Sequence, residues 1–97
     1  MVGLDPLIHA PLRLQLVTTL SAVSEAEFAT LRTALEVSDS VLSKHVSALV
    51  DAGYLHTRKS SAGGRRTTWI GLTNAGRSAL RDHVAAVRRL IDVVDVD

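Results

Sequence analysis

One stretch constrains this chain more than any other: Ser38-Asp39-Ser40-Val41-Leu42-Ser43-Lys44-His45-Val46-Ser47-Ala48-Leu49-Val50-Asp51-Ala52-Gly53. It carries the start, the stop and the two faces of a single helix. Stepping 100° per residue brings Leu42, Val46 and Leu49 within about 60° of one another, with His45 and Val50 on the flanks. Ser40, Lys44, Ser47 and Asp51 fall on the opposite side, and Ser43 at its margin. Ser38 or Ser40 can cap the amino end, because a hydroxyl oxygen accepts from the orphan amides of the first turn. Gly53 stops the helix, since glycine enters the left-handed region at no steric cost. The outward face consists of short hydroxyls and one cation, which suits close approach to a polar partner. A face built only for solubility would carry long Glu and Lys side chains instead. This segment is the candidate recognition helix.

The residues before it supply a second helix and a tight connection. Ser24-Glu25-Ala26-Glu27 has the form of a capping box, with Ser24 capping forward and Glu27 reaching back. The helix it predicts runs to about Leu35, with Phe28, Leu31 and Leu35 on one face. Glu36-Val37-Ser38 then forms a turn of about three to four residues, and two short helices joined so tightly form a helix-turn-helix, although the turn lacks the glycine often found there. Further upstream, Pro11 suits the first turn of another helix. Leu12, Leu16 and Leu20 form one stripe of it, and Leu14 and Val17 lie almost opposite. A helix apolar on two sides is buried on two sides, here against the core and against another element or subunit. Before it, Asp5-Pro6 can cap an extra helical turn.

After Gly53 the period changes. Tyr54-Leu55-His56-Thr57-Arg58-Lys59 and Arg66-Thr67-Thr68-Trp69-Ile70-Gly71-Leu72 alternate as strands do, and Ser60-Ser61-Ala62-Gly63-Gly64 is a small flexible turn between them. The result is a β-hairpin whose end gathers Arg58, Lys59, Arg65 and Arg66. The net charge of +1 conceals this asymmetry. Residues 1–51 hold three basic and six acidic side chains, residues 52–81 six basic and no acidic ones, and residues 82–97 two basic and four acidic. Like charges on a marginal ribbon repel, and a phosphate backbone would give them a purpose. The plain alternative is an edge hairpin guarded against aggregation by its charge.

Thr73 can cap the last helix. Within it Leu80, Val84, Val87, Ile91 and Val94 recur at spacings of four, three, four and three, a near-heptad seam. A helix of about twenty residues spans ~30 Å, longer than the core of one small chain can cover. A homodimer contact through this seam and the opposite face of the first helix (Leu14, Val17) would bury the surplus.

Several function classes are disfavoured. No apolar run approaches the ~20 residues of a membrane span, and the amino end lacks the basic region and cleavage site of a signal peptide, so a cytoplasmic location is expected. Without cysteine there is no disulfide or thiolate-bound zinc, and His9, His45, His56 and His83 are not paired at the i, i+4 spacing of helical metal ligands. No metal or other cofactor is expected. Nucleophile–base sets, phosphate-binding glycine loops and paired carboxylates are not apparent, so an enzyme is not expected either.

The order helix, helix, tight turn, helix, basic hairpin, long helix is that of a winged helix-turn-helix, mainly α with a small β-hairpin. The residues resemble those of MarR- and ArsR-like bacterial transcriptional regulators. The likeness rests on Val37 to Val46 with Leu49 and Ala52-Gly53-Tyr54-Leu55, on Gly63-Gly64-Arg65-Arg66-Thr67, and on Leu72-Thr73-Asn74-Ala75-Gly76. It spans nearly all 97 residues as one domain, with the recognition helix at about 38–52, the wing at about 54–72 and the dimerisation helix at about 74–94. The resemblance implies a regulator, with repression the expected sense, that binds double-stranded DNA. Ser38 would cap the recognition helix and donate to a phosphate, while Asp39, Ser40, Ser43, Lys44 and Ser47 would face the major groove. Asp39 has a second role open to it, complementing the helix dipole. Arg65 and Arg66, with Arg58 and Lys59 beside them, would hold phosphates or enter the minor groove. Larger relatives bind small-molecule effectors near an extended dimer region, but no residue here identifies such a pocket. The rival reading is a winged helix that docks protein or RNA, which should show an apolar patch on the recognition helix.

Overall fold

The computed structural model describes residues 4–95. Met1 to Gly3, on which part of the leader reading rests, lie outside the described residues, as do Val96 and Asp97. The elements in order are α1 (Pro11–Ser21), β1 (Ala26–Glu27), α2 (Phe28–Leu35), α3 (Asp39–Asp51), β2 (Leu55–Ala62), β3 (Arg65–Leu72) and α4 (Asn74–Asp95). The three strands form one antiparallel sheet in the order β1-β3-β2.

An aliphatic core holds the elements together. Leu16, Val17 and Leu20 of α1, Leu31 of α2, Leu42, Val46 and Leu49 of α3, Leu55 of β2, and Ile70 and Leu72 of β3 are buried in one cluster. Ile8 joins them from the turn before α1, fully buried. That turn forms because Asp5 Oδ1 accepts from the amides of Leu7 (2.9 Å) and Ile8 (3.3 Å), as its position before Pro6 predicts.

Three features depart from the sequence reading. Ser24 and Glu27 do not form a capping box. Ala26 and Glu27 pair with Ile70 and Trp69 instead, and α2 starts one residue later with no side-chain cap at its N-terminus. The edge of β3 not paired with β2 takes Ala26 and Glu27 as a third strand there. The hairpin turn is shorter than expected, only Gly63 and Gly64. Their φ values of 59° and 75° give the doubly left-handed turn that matches strand twist, so Ser60 to Ala62 extend β2. Val17 is fully buried in this chain's own core, while Leu14 packs half-buried against the cluster, so of the two only Leu14 keeps surface open to a second chain.

The start of α4 explains the Thr73-x-x-Gly76 spacing. Thr73 Oγ1 accepts from the Gly76 amide at 3.0 Å and donates to the Gly53 carbonyl at 2.6 Å. A Cβ at position 76 would collide with the carbonyl oxygen of Tyr54. The threonine thus ties α4 to the end of α3, and the glycine permits the approach.

Candidate nucleic-acid interface

Helix α3 is fixed at both ends and along its inner face. Ser38 Oγ accepts from the Val41 amide at 3.2 Å and lies 3.2 Å from Ser40 Oγ. At the other end Tyr54 N–H donates to Leu49 O (2.9 Å) and Gly53 N–H to Val50 O (2.9 Å), with Gly53 at φ 81°. This double closure is the Schellman arrangement. The same closure ends α2, where Val37 N–H donates to Arg32 O and Glu36 N–H to Thr33 O. There the left-handed position is held by Glu36 at φ 56°, so the turn closes without the glycine missing from the sequence.

Two side-chain contacts brace α3 against its neighbours. Arg32 of α2 donates to Asp39 Oδ1 at 2.7 Å, which engages that oxygen beside the positive end of α3. Arg13 of α1 donates to His45 Nδ1 at 3.0 Å, so the flank histidine is a hydrogen-bonded packing residue. Burial, and then the charges of Arg13 and Lys44, lower the His45 pKa below its ordinary value. With the inner face so held, Ser38, Asp39, Ser40, Ser43, Lys44 and Ser47 are all exposed. Val41, 40% exposed in the first turn, joins this surface. The apolar pattern of α3 gave no sign of its outward position, because it sits on the edge between the two faces.

The wing separates its four cations by strand parity. Arg58 stands opposite Trp69, and Arg65 lies four residues before Trp69 on the same strand, so both project from the outer face of the sheet. Lys59 and Arg66 project from the other face, the one that carries Leu55, Ile70 and Leu72 into the core and against which α3 packs. On the outer face the cations meet acids from the α1–β1 region. Arg58 makes a forked pair with Glu25, Nη2 to Oε1 at 2.8 Å and Nε to Oε2 at 3.1 Å, with its guanidinium 5.6 Å from the Trp69 ring centroid. The hydrogen bonds from Arg58 lower the Glu25 pKa, and Glu25 raises that of Arg58. Arg65 lies 3.6 Å from Glu27. Among the described residues no ion pair forms to Lys59, Arg66 or Lys44. Residues 52–81 contain no acid, but the fold brings two back to them, and the wing is less bare than its sequence.

This geometry has counterparts. The winged helix DNA-binding domain family matches residues 12–91, from the second residue of α1 to the last turns of α4. The chain belongs to that family. An uncharacterized protein of Methanocaldococcus jannaschii is 29% identical over 84 residues, covering 87% of this chain and 91% of its own. A transcriptional regulator homologue from Pyrococcus horikoshii superposes with a TM-score of 0.88 at 23% identity, over 93% of this chain and 89% of that one. The PcaV transcriptional regulator of Streptomyces coelicolor, solved with its natural ligand, gives 0.76 at 21% identity, over 95% of this chain and 64% of that one. The fold is that of MarR-like regulators.

In this winged-helix domain the carboxy-terminal seam divides. Leu80, at 9% exposure, joins the core of its own chain, so it offers little to a second one. Val87 is half-buried, whereas Val84, Ile91 and Val94 are 37%, 52% and 81% exposed. His83 and Ala86 form the buried inner face of α4 beside Leu80. His83 is tied in by Nδ1, which accepts from the Asp5 amide at 3.1 Å, and Asp5 Oδ2 accepts from the Tyr54 hydroxyl at 2.7 Å. No helix among the described residues is long and apolar enough to cross a membrane.

Proposed function

We propose that this winged-helix domain is a sequence-specific regulator of transcription that binds double-stranded DNA as a homodimer. One observation carries the reading: the exposed face of α3 and the unpaired wing cations Lys59 and Arg66 belong to one side of the fold. A helix of this diameter fits the major groove, and short hydroxyls allow its backbone to come close to base edges. Lys44, centred on that face, donates to guanine O6 and N7, while Ser40, Ser43 and Ser47 serve bases or phosphates. Val41 packs on a thymine methyl group. Ser38 and the first amides of α3 meet a phosphate, and Asp39, held by Arg32, serves the helix dipole. Lys59 and Arg66 take the flanking phosphates, with Arg65 reaching further along the wing.

Two copies joined through Val84, Val87, Ile91 and Val94 of α4 would present their recognition helices to half-sites about one helical turn apart. A dimer seated on a promoter excludes polymerase, so repression is the mode proposed. The docking-module alternative gains no support from α3. Its exposed valines, Val41 and Val50, are nine residues apart, about half a turn around the helix, and form no continuous patch.

Selection of bound duplexes from a random pool tests the proposal. It should return a site with two-fold symmetry, and Lys44→Ala should relax the preference at one base pair of each half-site. A pool that shows no enrichment would refute sequence-specific binding.

A further inference from the structure

Resting on that DNA-binding reading, we infer that Glu25 and Trp69 make Arg58 a strut that positions the wing, and that Arg58 is not a phosphate ligand. The sequence groups Arg58 with the other wing cations, but the fold gives it different surroundings. Its fork is closed on the Glu25 carboxylate through Nε and Nη2, and its guanidinium lies over the indole. Glu25 belongs to the loop between α1 and β1, 33 residues away in the chain. The contact therefore ties the hairpin to the body at mid-strand, beyond the point where the core ends. Past Arg58 the core-side positions of the hairpin are Lys59, Ser61, Thr68 and Arg66, with no apolar side chain to hold them to the body. A two-stranded ribbon without such support is marginal and mobile. On the core side Thr68 is half-buried beside Phe28 and Ala29, and the ion pairs that reach the hairpin lie on its outer face. There Glu25 and Arg58 form one brace, Glu27 and Arg65 at 3.6 Å a looser second.

The placement also separates the two groups by role. Arg58 points to the outer face of the sheet, away from the face carrying Lys59 and Arg66. For Arg58 to reach a phosphate it would have to leave Glu25 and Trp69 and release the wing at the same moment. The expected effect of Glu25 is opposite to that of simple electrostatics. Removing its negative charge near a DNA-binding surface should tighten binding if Glu25 only repels DNA. If Glu25 positions the wing, the same change weakens binding.

The test is fluorescence anisotropy with random-sequence duplex DNA, from about 25 to 200 mM salt. It compares the wild-type chain, Glu25→Gln, Arg58→Gln and the swapped pair Glu25→Arg/Arg58→Glu. Emission of Trp69, the chain's one tryptophan, is recorded for each without DNA. The expected result is several-fold weaker binding by both single variants, with altered Trp69 emission and an unchanged salt slope for Arg58→Gln. The swapped pair, which rebuilds the brace without a cation at position 58, should recover affinity. A slope reduced by about 0.9 in Arg58→Gln would make Arg58 a phosphate ligand and overturn the inference. So would tighter binding by Glu25→Gln, or a swapped pair as weak as the single variants. Failure of the wild-type chain to bind at low salt would instead overturn the DNA-binding reading, and the inference with it.

Discussion

At the scale of single residues, positions with unusual backbone or electrostatic demands carry the sharpest predictions. Glu36 holds φ 56°, which costs a residue with a Cβ about 1–2 kcal/mol, partly offset by the flexibility that glycine adds to the unfolded chain. Glu36→Gly should therefore stabilise the domain by about 0.5–1 kcal/mol, seen as a higher urea midpoint at unchanged slope. The left-handed residue was hidden in the sequence because the usual marker, glycine, is absent from Glu36-Val37-Ser38. His45 makes a pH prediction. Its folded pKa is depressed, mainly by burial, so the unfolded chain takes up a proton as pH falls through about 6.5 while the folded chain stays neutral. The unfolded state then holds more protons, and stability present above that pH is lost below it. Urea unfolding between about pH 7.5 and 5.5 should show less of this loss in His45→Gln, which keeps an acceptor for Arg13 but does not titrate. Equal pH dependence in the two chains would exclude His45 as its source. Lys44 belongs to recognition: Lys44→Ala should cost about 1–3 kcal/mol on a selected site and little on random sequence. An equal loss on both would assign Lys44 to a phosphate.

At the scale of elements, a helix or strand was legible where its own residues contain both period and punctuation. Ser38, the Leu42–Val46–Leu49 stripe and Gly53 define α3 without outside help, and Thr73 marks the start of α4. Strand β1 could not be read this way. Two residues have no period, and Ala26-Glu27 becomes a strand only because β3 offers an unpaired edge. Its residues mimic a helix cap for the same reason, since Ser and Glu three apart look alike in either setting. The wing was legible as a ribbon but not as an electrostatic object. Local counting finds six cations and no acid in residues 52–81, whereas the fold returns Glu25 to Arg58 and Glu27 toward Arg65. Long-range pairing of this kind leaves no trace in local charge. The link between α3 and α4 can be broken by one methyl group. Gly76→Ala drives it into the Tyr54 carbonyl at their junction, so the change should destabilise the fold by about 1–3 kcal/mol. A melting temperature equal to wild type would show that the junction relaxes freely.

At the scale of the whole molecule, apolar periodicity shows that a surface is buried without showing what buries it. Leu14, Val17 and Leu80 have the spacing of an interface, yet Val17 and Leu80 belong to the chain's own core and Leu14 packs half-buried against it. Val84, Ile91 and Val94 remain, a stripe on the outer part of α4 that one chain leaves in water. Ile91→Glu/Val94→Glu should therefore convert a dimer to a folded monomer on size exclusion, with helical circular dichroism retained. Unchanged elution would place the dimer contact elsewhere or show that none exists. The central claim, that α3 and the inner-face cations of the wing form one DNA-binding surface, has a more direct test. It is the salt dependence of binding to random duplex DNA by the wild-type chain and by Lys59→Ala/Arg66→Ala. A steep dependence is expected for the wild-type chain, reduced by about 0.9 for each phosphate that the variant no longer neutralises. Identical slopes, or no binding at low salt, would contradict the claim.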